Sequence, residues 1–335
     1  RARKVVVDVD PAELAKLEGA VDELICADAG AFLDALLDLD AEPAPAPAMP
    51  VVEGERAARR EAWLRRCRAW RERYRVVTAQ HARPADHVST YHFTDVLCEL
   101  LDDDDVLVPC SSGLHIEIFE LALRLRTGQR AVFTSALGAM GYGPPAAIGA
   151  CLGSGGRRTI CVDGDGGLQL NIQELETLHR LGLPVKLFVI ANGGYASIRA
   201  SQQRWFGRLI GADASSGLSL PSLEAVAAAY RLPFVRIDPH QALRPQLAAV
   251  LAAAGPVVCE VPSPPDEPRE PVQVSEALPD GGMRSRPIED LAPLLPREEL
   301  AANLDPVGMF PLEEDPDEEA SAGAGRPDAL ADRRS

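Results

Sequence analysis

Asp165 stands between glycines at the end of an apolar run, in Val162-Asp163-Gly164-Asp165-Gly166-Gly167, and Asn192 closes the next apolar run, which begins at Pro184. A carboxylate and an amide oxygen are hard donors of the kind that Mg2+ takes. If the two runs are neighbouring strands, both oxygens reach one edge of a sheet. Gly164, Gly166 and Gly167 let a ligand approach the backbone closely, and a helix beginning near Asn171 would offer unpaired N–H groups to an anion. A cation beside a helix start suits a diphosphate held through Mg2+. Taken singly, Gly-Asp-Gly and Asn-Gly-Gly are ordinary turn chemistry, so the pairing carries the reading. The other glycine-rich stretch, GAMGYG from Gly138 to Gly143, has the spacing GxxGxG instead of GxGxxG. It does not lead from a strand into a helix with an acidic residue placed for a ribose, so a dinucleotide site is not indicated.

These residues need a scaffold, and from about His87 the pattern supplies one. Short apolar runs at Asp105–Cys110, Arg158–Gly166, Pro184–Asn192, Pro233–Asp238 and Pro256–Pro262 alternate with amphipathic stretches. Those stretches, expected as helices, are His115–Leu125, Pro145–Leu152, Asn171–Leu181, Leu223–Tyr230 and Ala242–Ala253. The alternation implies an α/β fold, a doubly wound parallel sheet covered on both faces, with ligands at the carboxyl ends of its strands. Upstream, Lys4–Asp10 reads as a buried strand, Pro11 opens a helix, and Ala29–Leu39 forms a second one. Ala41–Pro50 (AEPAPAPAMP) is an extended proline-rich connector. The arginine-rich helix that follows turns Trp63, Leu64, Cys67 and Trp70 inward and leaves a solvated basic face.

The chain has 335 residues, enough for one large or two medium domains, and a net charge of −16, which argues against nucleic acid or an anionic membrane as partner. Seven cysteines without a CxxC pair fit a reducing cytoplasm. No apolar run approaches a membrane span and no signal peptide opens the chain. The start, RARKVVVDVD, lacks a methionine, so an upstream part is expected to be missing. The end, PLEEDPDEEASAGAGRPDALADRRS, reads as disordered.

The stretch GDGGLQLNIQELETLHRLGLPVKLFVIANGGY resembles the binding motif of thiamine-diphosphate-dependent enzymes, and SALGAMGYGPPAAIGA is similar to the segment that precedes it in acetolactate synthases. KVVVDVDPAELAKLEGAVDELICADAGAFLDALL resembles the end of their central domain, and RPIEDLAPLLPREELAANL resembles their C-terminal segment. The resemblance divides the chain into the end of a central domain (1–40), a linker with the basic helix (41–86), a thiamine-diphosphate/Mg2+ domain (87–262), a C-terminal segment (263–310) and an acidic tail (311–335).

For single residues the resemblance implies that Asp165, Asn192 and the carbonyl of Gly194 bind Mg2+. Gly166 and Gly167 would offer N–H groups to the diphosphate, approached from the other side by Gly113, Leu114 and His115. Gly138 and Met140 would hold the aminopyrimidine, with the Met140 side chain propping the cofactor in a bent form. Read without the resemblance, His115 is a helix-start cap or core residue and Met140 a gap-filling one. Tyr195 adds to the cofactor site and, with Ile198 and Ser201, forms the mouth of the substrate pocket. Three positions depart from the pattern: Ala191 replaces the first of two asparagines, Gly167 replaces a serine, and Ser201 stands where branched-chain biosynthetic enzymes carry a tryptophan.

The implied activity is decarboxylation of pyruvate or a similar 2-oxo acid and transfer of the two-carbon unit to an acceptor. A simple 2-oxo acid decarboxylase and a non-catalytic cofactor-binding subunit are the alternatives. The resemblance implies a homodimer or homotetramer, in which an activating glutamate comes from an N-terminal pyrimidine-binding domain that no segment here matches. The chain alone is therefore expected to be inactive. FAD stays undecided, because the part of the central domain that would hold it is mostly absent.

Overall fold

The structure is a computed structural model that describes residues 3–41, 53–83, 86–110, 113–134, 137–277 and 282–304. Most of the proline-rich connector, Ser111 and Ser112, Ser135 and Ala136, and the acidic tail lie outside the described residues. Two compact units divide the chain, Arg1–Trp70 and Arg71–Ser335.

In the first unit β1 (Val5–Asp8) pairs in parallel with β2 (Glu23–Cys26), a strand not anticipated from the sequence. Between them Pro11 opens α1 (Pro11–Ala15), and Asp10 caps it by accepting the Ala12 N–H at 2.8 Å. β1 is shorter than expected and partly exposed instead of buried, because only one strand pairs with it. α2 (Ala29–Ala41) follows, and α3 (Glu53–Arg73) runs across the boundary between the units. On α3, Trp63 and Leu64 are half-exposed instead of turned inward. Trp63 meets Trp70 edge-on with ring centroids 5.6 Å apart, and Arg66 stacks over the Trp70 ring. This narrow stripe covers itself in place of entering a core.

The second unit opens with α4 (Thr90–Leu100), β3 (Val106–Pro109), α5 (Leu114–Ala122), the two-residue β4 (Arg130–Ala131) and α6 (Gly143–Gly153). β5 (Thr159–Gly164) leads directly into the single turn α7 (Asp165–Leu168), a 3-10 turn at Gln169–Asn171, and α8 (Glu174–Leu181). Then come β6 (Val185–Ala191), α9 (Ala196–Phe206), α10 (Leu223–Ala229), β7 (Phe234–Arg236), α11 (Leu243–Ala252) and β8 (Val257–Pro262). An antiparallel pair, β9 (Ser275–Ala277) and β10 (Met283–Ser285), and α12 (Arg297–Leu304) complete it.

β3 to β8 form one parallel sheet in the order β4-β3-β5-β6-β8-β7. Successive residues of a strand point to opposite faces, and here both faces are apolar. Ile160, Val162, Phe188 and Ile190 pack with α4, α5 and α11, while Cys161, Leu187 and Val189 pack with α6, α8 and α10. This is the doubly wound α/β fold expected from the sequence. Its consequence for function lies in the crossovers: α5 leaves β3 onto one face, and α7 and α8 leave β5 onto the other. The loops therefore part between the carboxyl ends of β3 and β5 and open a crevice there.

Candidate functional site

β5 and β6 are paired along their length, with Gly164 opposite Ile190. Asp165 and Asn192 therefore leave neighbouring strands at the same edge, as their spacing suggested. Gly113, Leu114 and His115 start α5 on the opposite wall of the crevice. The cleft between them is lined by Leu114, Met140, Gly166, Asn192, Tyr195 and Ile198, among others. The helix expected near Asn171 begins instead at Asp165, so the N–H groups of its first turn lie directly beside the candidate ligand.

Asp165 is 6% exposed. Its Oδ1 accepts the Gly166 N–H at 2.7 Å and its Oδ2 the Gly193 N–H at 2.8 Å. Burial pushes its carboxyl up to about 6, while the N–H groups of Gly193, Gly166, Gly194 and Asn192 draw it back down. Asn192 is equally buried; its Nδ2 lies 2.9 Å from His115 Nδ1, and its Oδ1 has no hydrogen-bond partner. Leaving a buried amide oxygen unsatisfied costs about 1–3 kcal/mol, and a cation beside it would remove that cost. Among the described residues no cluster of three or more His, Cys, Asp or Glu could hold a metal. What the crevice offers is a carboxylate and an orphaned amide oxygen, hard oxygen donors that fit Mg2+ better than a softer metal.

Two glycines at the site lie close against their neighbours. Gly194 has φ of +134°, and a Cβ there would run into the Ala212 carbonyl. At Gly167 a Cβ would come within 2.7 Å of Asp163 Oδ1, which already accepts the Gly164 N–H at 2.7 Å. Asp163 is thus a close neighbour of Gly167, a contact the sequence reading did not anticipate. Burial also pushes the Asp163 carboxyl up to about 6.

Met140 lies on the cleft wall and is 40% exposed, so it does not fill a gap in the core. Gly138, with φ of +60°, shapes the turn before Met140 and is not part of the cleft lining. The Tyr195 ring lies against Gly166, where it leaves no space for a Cβ. Ile198 lines the cleft, whereas Ser201, one turn further along α9, is exposed and outside that lining. Glu117, also on the cleft wall, was not singled out from the sequence; it pairs with Arg269.

Residues 112–261 match the family described as thiamine pyrophosphate enzyme, C-terminal TPP binding domain. The chain belongs to the thiamine-diphosphate enzyme family, in its acetolactate-synthase-like branch. It is 31% identical over 264 residues to the acetolactate synthase large subunit of Parasynechococcus marenigrum (strain WH8102), covering 78% of this chain and 39% of the relative. The same comparison with the acetolactate synthase large subunit of Porphyra purpurea gives 26% identity over 270 residues, 78% of this chain and 42% of the relative. A probable chloroplastic acetolactate synthase 2 of Oryza sativa subsp. japonica is 27% identical over 275 residues, 80% of this chain and 40% of the relative. The chain spans about two fifths of the length of the curated relatives it matches. The matched thiamine-diphosphate domain runs from the loop before α5 to the end of β8 and contains both walls of the crevice. Among the described residues no helix is long and apolar enough to cross a membrane.

Proposed function

We propose that the chain binds thiamine diphosphate through Mg2+ in the crevice between β3 and β5, as part of a 2-oxo acid carboligase of acetolactate-synthase type. The observation that carries this reading is the buried, partnerless Oδ1 of Asn192 beside the ionisable Asp165. Asp165, Asn192 and the Gly194 carbonyl would hold the cation. Backbone N–H groups of Gly166 and Gly167, with the α5 start at Gly113, Leu114 and His115, would receive the diphosphate. Gly138 and Met140 would hold the aminopyrimidine, with Tyr195 alongside.

When bound, thiamine diphosphate supplies the electron sink needed to decarboxylate a 2-oxo acid, which no side chain can provide. This chain's residues would bind and orient it: Asp165 must be ionised to ligate, Met140 would fix the ring end, and Tyr195 and Ile198, which line the cleft, would face the incoming donor and acceptor. The 87–262 segment acts as the cofactor domain and 1–40 as the end of a central domain. Catalysis requires an N-terminal pyrimidine-binding domain, in the same or a partner chain, in a homodimer or homotetramer. None of the seven cysteines is in a disulfide, which suits a cytoplasmic enzyme.

Supplied with that domain, Mg2+, thiamine diphosphate and pyruvate, the protein should release CO2 and form an acyloin. Release of acetaldehyde alone would replace the carboligase reading with a simple decarboxylase, and no CO2 at all would point to a non-catalytic subunit.

A further inference from the structure

The imidazole of His115 is 2% exposed and both of its nitrogens are engaged. Nε2 lies 2.8 Å from the carbonyl oxygen of Pro264, and Nδ1 lies 2.9 Å from Nδ2 of Asn192. A carbonyl oxygen only accepts, so Nε2 carries the proton. In the neutral ring Nδ1 is then a lone pair that needs a donor, and the Asn192 amide nitrogen supplies it. The opposite amide orientation would set Oδ1 against that lone pair and turn an N–H group toward the cation, two repulsive contacts in place of two favourable ones. We propose that His115 is a positioning residue, which locks the Asn192 amide with its oxygen directed to the metal; this rests on the proposed role of Asn192 as a ligand.

The lock is anchored at its far end. The segment after β8 that carries Pro264 is tied to β6 by the Ser263 N–H, which donates to the Ala191 carbonyl at 3.0 Å. From α9, Arg199 donates to the Pro265 carbonyl and pairs with Asp266. Glu267 accepts the Thr90 N–H at 2.9 Å and lies 4.0 Å from His115 Nε2. The Pro264 carbonyl is therefore fixed by backbone and side chains that do not touch the cation, and it sets the tautomer of His115. The tautomer in turn sets the amide. Partners of this kind, one step removed from a metal, commonly carry a 10–100-fold share of its affinity.

Two substitutions separate positioning from mere support. His115→Asn places an amide oxygen near the Nδ1 position, where it can accept from Asn192 Nδ2. His115→Gln reaches the Nε2 position, keeps the donation to Pro264 and leaves the Asn192 amide without its acceptor. The full-length chain is titrated with Mn2+ in the presence of thiamine diphosphate, followed by the electron paramagnetic resonance of the free ion. The Asn variant should bind Mn2+ close to wild type and the Gln variant roughly tenfold or more weakly. Equal affinities, or the Gln variant binding better, would overturn the inference. Wild type that binds no Mn2+ would overturn the Asn192 ligand reading itself, and this inference with it. Independently of any metal, 15N shifts of the imidazole in the wild-type chain should report the Nε2–H form with Nδ1 as acceptor. An Nδ1–H form would also overturn it.

Discussion

The side chains of Asp165, Asn192 and His115 are more than nine-tenths buried and held by hydrogen bonds, whereas Met140 and Ile198, in the same cleft lining, are 40% and 39% exposed. Outside that lining Leu137, Trp205 and Phe206 are more exposed still. On the proposed reading the charge-holding groups run from the α7 turn to the Pro264 carbonyl. The apolar side is a surface of the kind that another part of a protein covers, since burying each such side chain is worth about 1.5–3 kcal/mol. The difference fits a cofactor whose diphosphate end is gripped here and whose ring end is enclosed by a further domain.

The largest effect should come from supplying that domain. The chain alone, with Mg2+, thiamine diphosphate and pyruvate, should lack the acid/base contribution of roughly 10²–10⁴-fold and release no CO2 above background. Sustained CO2 release would show that a group within these 335 residues does the activating. In the completed enzyme, Met140→Ala should lower turnover by roughly 10–10²-fold and cofactor affinity far less, with Met140→Leu milder, because the ring end depends on close placement. Equal turnover in steady-state assays would make Met140 ordinary packing.

On the buried side, Gly167→Ala should cost about 2 kcal/mol of stability in chemical denaturation, because the new Cβ meets Asp163 Oδ1. An unchanged midpoint would mean that Asp163 can step aside. A further effect is on pH. In the metal-free chain the folded values of Asp163 and Asp165, about 6, exceed the ordinary 3.8. The folded state therefore binds protons that the unfolded chain releases between about pH 4 and 6, and its stability should fall as pH rises through that window, by about 1–3 kcal/mol. Melting curves at pH 5 and 7 test the sign, and a more stable chain at pH 7 would contradict it.

The sheet was legible because strands buried on both faces leave near-continuous apolar runs, as in Val185–Ala191. Asp165 and Asn192 were legible because glycines mark where each strand stops. α9 was not, since its sequence, ASIRASQQRWF, is polar over most of its length and follows a turn-forming Asn-Gly-Gly. Neither was the His115–Asn192 contact, which joins residues 77 apart and depends on a carbonyl 149 positions from the histidine. Pairings of that range follow from the register of the sheet, and no local pattern records them. The exposure of Trp63 and Leu64 on α3 was missed because helical periodicity tells which residues share a face and not whether anything covers it.

Calorimetric titration of thiamine diphosphate into the full-length chain and its Asp165→Ala variant, each with and without Mg2+, tests the central claim most directly. Wild type should bind only with Mg2+, and the variant should bind roughly 10²-fold more weakly, as expected for losing a charged partner. Mg2+-independent binding of equal strength in both proteins would contradict the assignment of Asp165 and Asn192 as the metal-holding pair.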